Sequence, residues 1–287
     1  MKIILIILAI LTLYVIWQAF ELTQFRVTEY TLESEKVQNE FRIAVIADLH
    51  CHEYGKDNER LISTIKQEKP DMILIPGDMI VSAHTEKYEI SLRFLKKISN
   101  IAQIYFSNGN HESRVDRPIS PYYDSYRKYR QEVEKLGIHI LNNKKEVNRM
   151  NGNTCMIYGT DIPLKCYEKG KINPIPEGFL TDKLGVCDKE KFSVLLAHNP
   201  TYCDEYASWG ADLILSGHMH GGLVRIPGIG SVLSPQFKIF PKYDAGRFDI
   251  GSSTAIISKG LGTHTFHIRI FNRAEIVMVR VIPKQNH

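Results

Sequence analysis

The sequence predicts an α/β protein carried on one N-terminal transmembrane helix, and three observations support that reading. Ile3 to Phe20 form an uncharged apolar segment, short apolar runs of strand length then alternate with amphipathic segments, and five of those runs end in Asp, His or Asn.

The first segment, MKIILIILAILTLYVIWQAF, has roughly 18 uncharged residues, about 27 Å as a helix, just enough to cross a bilayer. It ends in Trp17, Gln18, Ala19 and Phe20 rather than in the small residues of a signal-peptidase site, so residues 1–22 are expected to stay as an anchor with Tyr14 and Trp17 near an interface. Lys2 on one side and the acidic stretch from Glu21 to Glu35 on the other place the amino terminus in the cytoplasm. The chain is thus expected to be single-pass in the cell membrane with its catalytic domain extracytoplasmic. Five scattered cysteines, Cys51, Cys155, Cys166, Cys187 and Cys203, form no CxxC and are expected as thiols, which argues mildly for a reducing side. Residues 23–40 are polar and read as a linker, leaving 41–287 as one domain without internal repeats.

Within that domain FRIAVIADLH is a buried strand running into Asp48 and His50, and NERLISTIKQEK has helical spacing at Leu61, Ile62 and Ile65. DMILIPGD repeats the strand and ends at Asp78, followed by the amphipathic EKYEISLRFLKKI. IAQIYFSNGNHE brings up Asn110, His111 and Glu112. FSVLLAHNP ends at His198 with Pro200 opening a helix, and ADLILSGHMH ends at His218 and His220. In open α/β sheets the carboxyl ends of the strands line the cleft, so residues remote in sequence converge there.

Turn preference explains Asp and Asn at strand ends, but not four histidines each closing an apolar run. The mixture of carboxylate, amide oxygen and imidazole suits two borderline divalent cations sharing a bridging carboxylate. With two carboxylates and one hydroxide such a centre keeps a net charge of about +1 and attracts phosphate. The overall charge of +4 is small and no basic stripe is present, so nucleic acid is not an expected partner; nothing in the sequence speaks to oligomeric state.

The ordered set DLH, GD, GNHE, AHNP and GHMHGG, over about residues 41 to 225, closely resembles the calcineurin-like metallophosphoesterases. The resemblance implies a sandwich of two β-sheets flanked by helices, and two divalent ions, Mn, Fe or Zn. Asp48, His50 and His220 would hold one ion, Asn110, His198 and His218 the other, and Asp78 would bridge. It further implies that His111 is not a ligand but a catalytic group over the cleft, stabilising a phosphoryl oxygen or protonating the leaving group; Glu112 is expected to orient it. GGLVRIPGIG and the SKGLG turn resemble the membrane-associated branch of that family, whereas YGTDIP keeps only Asp161 where relatives carry two acidic residues, so no role is transferred to it.

The expected function is hydrolysis of a phosphodiester or phosphomonoester by a metal-bridging hydroxide, at or near a membrane. A pyrophosphatase directed at a lipid or nucleotide-linked lipid is the same-class alternative, and a non-catalytic, metal-holding, membrane-tethered binding protein is the alternative from another class. His52, His84, His139, His264, His267 and His287 are expected at surface or packing positions; Arg114 and Arg117 read as a solvated loop with a substrate clamp over the cleft as the alternative, and Arg225 is open between the same two readings.

Overall fold

A computed structural model of the chain describes residues 2–222, 225–226, 228–234, 237–263 and 268–285. After the apolar helix α1 (Lys2–Glu21) come β1 (Phe25–Ser34), β2 (Phe41–Val45), α2 (Glu59–Glu68), β3 (Met72–Ile75), α3 (Tyr88–Ile98), β4 (Gln103–Phe106), α4 (Asn110–Val115), α5 (Tyr123–Lys135), β5 (His139–Ile140), β6 (Lys144–Met150) and β7 (Asn153–Thr160). The second half holds α6 (Phe179–Leu184), β8 (Phe192–Ala197), α7 (Cys203–Trp209), β9 (Leu213–Ser216), β10 (Arg225–Ile226), β11 (Gly230–Ser231), β12 (Gly246–Ile250), β13 (Ser253–Ile257) and β14 (Ala274–Pro283).

The strands form two six-stranded sheets, ordered β1-β14-β2-β3-β4-β5 and β12-β13-β9-β8-β7-β6, and a small β10-β11 ribbon. β2, β3 and β4 run parallel in the first sheet, as do β7, β8 and β9 in the second. Their apolar runs are continuous because both faces are covered. Phe41, Ile43 and Val45 of β2 pack between the sheets with Phe192, Val194 and Leu196 of β8, while Ala44 and Ile73 face the layer of α2, α3 and α5. A third apolar cluster lies outside the second sheet, where Leu180 and Tyr206 of α6 and α7 cover Leu195 and Ile214. The expected two-sheet sandwich flanked by helices is what the chain adopts, and all five cysteines are buried thiols.

One expectation fails. The stretch 23–40, read as a linker, contributes β1, which pairs in parallel with β14 from Phe25↔Ala274 to Ser34↔Pro283. An edge strand exposes one face, so Glu29, Thr31 and Glu33 point to solvent while Tyr30 and Leu32 turn inward; that charged face is what made the segment look unstructured.

The contact between the sheets is testable at Phe41, which is 1% exposed and meets the Phe192 ring edge-on with centroids 5.9 Å apart. Phe41→Ala should lower the unfolding free energy of the detergent-solubilised chain by about 3–5 kcal/mol in urea titrations, and an unchanged midpoint would contradict this packing.

Candidate metal centre

The carboxyl ends of β2, β3, β4, β8 and β9 meet where the two sheets join. The first sheet delivers Asp48, His50, Asp78 and Asn110, and the second delivers His198, His218 and His220; all seven are buried. Ligand-type atoms of Asp48, His50 and His220 lie within 4.8 Å of one another, and so do those of Asp78, His198 and His218. A third such group, His50, Asp78 and His111, lies between them. Asp78 belongs to both halves: its Oδ2 is 3.0 Å from His198 Nε2 and 3.9 Å from His50 Nε2.

The ring nitrogens facing away from the cluster determine what the inner ones present. Nδ1 of His50, His198 and His220 lies 3.3, 3.1 and 3.1 Å from the carbonyl oxygens of Ile80, Pro76 and Gly262. A carbonyl only accepts, so each Nδ1 carries a proton; the neutral rings of His50 and His220 turn their Nε2 lone pairs inward, while Nε2 of His198 faces Asp78 and carries a second proton until a cation takes its place. Nε2 of His50 and of His220 are then 3.1 Å apart, lone pair towards lone pair, an arrangement that a shared cation relieves. Asn110 Oδ1 is buried without a hydrogen-bond partner among the described residues, an acceptor suited to the same charge. The donor set therefore fits divalent cations.

Space for the carboxylates is kept by glycine. A Cβ on Gly109 would lie 2.2 Å from Asp78 Oδ1, and one on Gly217 would lie 2.3 Å from Asp48 Oδ2. The backbone is also forced: Asp48, His50, Asp78, His218 and His220 have φ of 51°, 49°, 56°, 66° and 50°, left-handed values that cost on the order of 1 kcal/mol each for such residues.

Electrostatics divide the two carboxylates. Burial pushes the Asp48 carboxyl up to about 7, against the pull of His198. Burial acts on Asp78 in the same sense, yet His198, His111 and His50 around it hold it well below the carboxylate range. His198 in turn is raised to about 9: desolvation opposes its charge, but Asp78 outweighs it. A cation beside these groups takes over the role of the proton and keeps both carboxylates ionised.

His111 differs from the other histidines. Its Nδ1 accepts the backbone N–H of Ser82 at 3.0 Å, so the proton of the neutral ring sits on Nε2, and its ring meets that of His50 edge-on at 5.0 Å. The expected orientation by Glu112 does not occur. Glu112 instead accepts the N–H groups of Asp78, Met79, Ile80 and Gly109 at 2.8–3.2 Å, fixing the two glycine-containing turns that carry Asp78 and Asn110. Burial, with Asp78 nearby, raises its carboxyl to about 8. A backbone-bracing role is invisible in sequence because its partners are main-chain atoms.

Other supports were equally hidden. The Asn272 amide donates to the carbonyls of His220 and Gly222 at 2.5 and 2.8 Å, and the buried Arg269 guanidinium donates to Gly262 O at 2.8 Å, the same carbonyl that holds His220. Tyr167 packs edge-on against the His218 ring at 5.1 Å. Asp161, given no role from sequence, accepts Ser113 Oγ at 2.6 Å and Asn108 Nδ2 at 3.4 Å, and so braces both sides of Asn110.

The remaining sequence expectations divide plainly. His52 meets Leu22 O at 3.1 Å, His84 meets Glu86 at 3.2 Å and His139 meets Glu146, so none of the three joins the cluster. Arg114 and Arg117 are exposed, Arg225 pairs with Asp244 at 2.7 Å, and His264, His267 and His287 lie outside the described residues.

Comparison with known proteins places this geometry. Residues 41–222 match the model of the calcineurin-like phosphoesterase family. The chain is 26% identical over 262 residues to an uncharacterized metallophosphoesterase, YkuE, of Bacillus subtilis, spanning 88% of this chain and 83% of that one. It is 25% identical over 246 residues to the phosphodiesterase YaeI of Escherichia coli, spanning 84% and 82%. Among solved structures, the Thermus thermophilus sulfate thiohydrolase SoxB superposes with a TM-score of 0.50 at 13% identity, covering 81% of this chain and 53% of its own.

Asp161 offers a pH test that leaves the clustered residues untouched. Burial raises its carboxyl from 3.8 to about 6, so between those values the folded chain holds a proton that the unfolded chain has released. Stability contributed through this group is therefore greatest below pH 3.8 and falls as pH rises through about 6. Asp161→Asn should flatten that part of the pH dependence of thermal unfolding and raise Tm above pH 6 relative to the native chain; parallel pH profiles would show that the carboxyl does not titrate there.

Proposed function

Because the chain belongs to the calcineurin-like phosphoesterase family, and so is a metal-dependent phosphoesterase with a centre for two divalent cations, we propose that it hydrolyses a phosphodiester or phosphomonoester beside a membrane in which α1 is embedded. In this reading Asp48, His50 and His220 hold one cation, Asn110, His198 and His218 hold the other, and Asp78 is shared. The Asp48–His50–His220 and Asp78–His198–His218 clusters, the position of Asp78 near both His50 and His198 and the buried amide oxygen of Asn110 support that division. When bound, the cations acidify water and neutralise the charge of phosphoryl oxygens.

The observation that carries the mechanism is the opposite tautomer of His111. Three rings held through Nδ1–H offer lone pairs to cations, whereas His111, held as an acceptor at Nδ1, offers a proton on Nε2. A ligand needs the first arrangement and a hydrogen-bond donor to negatively charged oxygen the second, which supports His111 as the group that stabilises a phosphoryl or departing oxygen through Nε2–H. Water adds to phosphorus, the bond from phosphorus to the leaving oxygen breaks, and the proton that the water gives up ends on that oxygen. The family includes a protein named as a phosphodiesterase, which favours a diester substrate.

The anchor reading draws support from the end of α1. Its apolar turns are exposed, but Gln18 and Glu21 are buried against the folded domain: Gln18 exchanges two hydrogen bonds with the backbone of Arg269, and Glu21 forms a bidentate ion pair with Arg273 at 2.8 and 2.9 Å. A segment destined for removal gains nothing from such contacts, so residues 1–22 are read as a retained anchor.

Metal analysis and turnover of a diester such as bis(p-nitrophenyl) phosphate test the assignment together. His220→Ala should lose about half the bound metal and most of the activity. His111→Ala should keep the full metal content and lose about 10²–10⁴-fold in rate. Full activity in either variant removes that residue's role, and stoichiometric metal without hydrolysis of any ester tried would identify a binding protein instead.

A further inference from the structure

Outside α1, most of the exposed large apolar side chains among the described residues fall between Ile226 and Phe271. Ile229, Phe237, Ile239, Phe240 and Phe271 are each at least half exposed. Scattered apolar residues need no explanation, but these are linked contact by contact into one rim. Phe240 N donates to Val232 O, Leu233 bridges to Ile239, and β11 pairs with β10, which holds Ile226. Arg225 N donates to Ile270 O, and the Phe271 ring lies 6.2 Å from Trp17 of α1. The rim is therefore continuous with the helix that has the length and hydropathy to cross a membrane.

Phe237, Phe240 and Phe271 have φ of 61°, 46° and 50°, an uncommon conformation for aromatic residues that serves no buried packing here, since all three rings are exposed. The Lys169 ammonium borders the same surface, 5.2 Å from the Phe237 ring centroid, while Lys238 and Lys242, either side of Ile239 and Phe240, turn to Thr201 Oγ1 at 3.0 Å and to the Asp204 carboxylate at 2.9–3.0 Å. Aromatic and branched side chains with a lysine beside them match the boundary between acyl chains and headgroups. The rim also adjoins the metal centre: Asn272, next to Phe271, donates to the carbonyl of His220, and Arg225 reaches Gly221 O at 3.5 Å.

We propose that this rim, running from β10 through Phe240 and returning at Phe271, seats on the surface of the same phospholipid bilayer that holds α1, so that the metal centre opens at headgroup level. The inference rests on the anchoring proposed for α1. Two attachments, a spanning helix and an interfacial rim, fix the orientation of the domain where one alone leaves it free to swing. Phosphoesters lying in the membrane plane then reach the centre without leaving it.

The test uses the full chain in vesicles of phosphatidylcholine and phosphatidylglycerol, labelled with an environment-sensitive thiol dye; the native cysteines are all buried and react slowly. Single sites are introduced as Leu8→Cys in α1, Ile239→Cys and Phe271→Cys in the rim, and Val186→Cys, exposed before β8 at the opposite end of the sheet. Relative to the same dye on free cysteine in water, blue-shifted emission is expected at residues 8, 239 and 271 and not at 186. Adding Phe237→Ser, Ile239→Ser and Phe240→Ser to the Phe271→Cys chain should abolish its shift, while the same substitutions leave the probe at residue 8 unaffected. A shift at residue 8 without one at 239 and 271 overturns the docking and leaves the anchor standing. No shift at residue 8 overturns both.

Discussion

Two carboxylates sealed at the junction of two sheets are the constraint around which this chain is built. Asp48 and Asp78 are 0% and 1% exposed, and neither can stay ionised there without positive charge close by. The surroundings supply donors in part: Asp48 accepts the His218 N–H at 3.1 Å and Asp78 accepts the His111 N–H at 2.8 Å. These bonds join strand ends from different sheets or different turns, so the carboxylates also act as fasteners between the two halves of the sandwich. What remains uncompensated is the charge itself, and the imidazole lone pairs and amide oxygen around it are arranged for cations.

Holding that arrangement takes more residues than the cluster contains. His220 is held at its ring by Gly262 O and at its carbonyl by Asn272. Gly262 O also receives the Arg269 guanidinium, which reaches the carbonyls of Lys259, Gly260 and Asn272 as well. The backbone of Arg269 is clipped by Gln18 from α1. An unbroken path of hydrogen bonds thus runs from the last turn of the apolar helix to one inward-facing imidazole. In the first sheet the equivalent brace is Glu112, whose four backbone bonds tie the turn after β3 to the turn after β4.

The difference between what was legible and what was not follows from the kind of atom involved. Asp48, Asp78, His198 and the His218/His220 pair stood at the ends of apolar runs, and side-chain chemistry at a strand end is written in the sequence. Strands β2, β3, β4, β8 and β9 and helices α2 and α3 were legible as well, since burial on both faces of a strand leaves a continuous apolar run and burial on one face of a helix imposes a period. β1 was not: Tyr30 and Leu32 do alternate with Glu29, Thr31 and Glu33, but two inward side chains among so many polar ones left the stretch reading as a linker. Nor was the bracing by Ile80 O, Pro76 O and Gly262 O, because every residue has a carbonyl and only the fold selects which one faces a ring. Glu112 was misread for a related reason: adjacency to His111 suggested a side-chain partner, while on the short helix α4 the two side chains point apart.

The same backbone selection is what divides the histidines by role. An imidazole is symmetric enough that sequence assigns it neither donor nor acceptor character; the atom opposite its outer nitrogen does so. Where a main-chain carbonyl stands there, as for His50, His198 and His220, the inner nitrogen can give a lone pair and the ring suits a cation. Where a main-chain N–H stands there, as Ser82 does for His111, the inner nitrogen carries a proton and the ring suits an anion. A cluster of identical side chains thereby presents both polarities, lone pairs that suit cations and one N–H that suits a negatively charged oxygen. Reversing either class would need a backbone change rather than a side-chain substitution, which explains why so much of the surrounding structure, including five strained left-handed residues, serves to fix main-chain atoms.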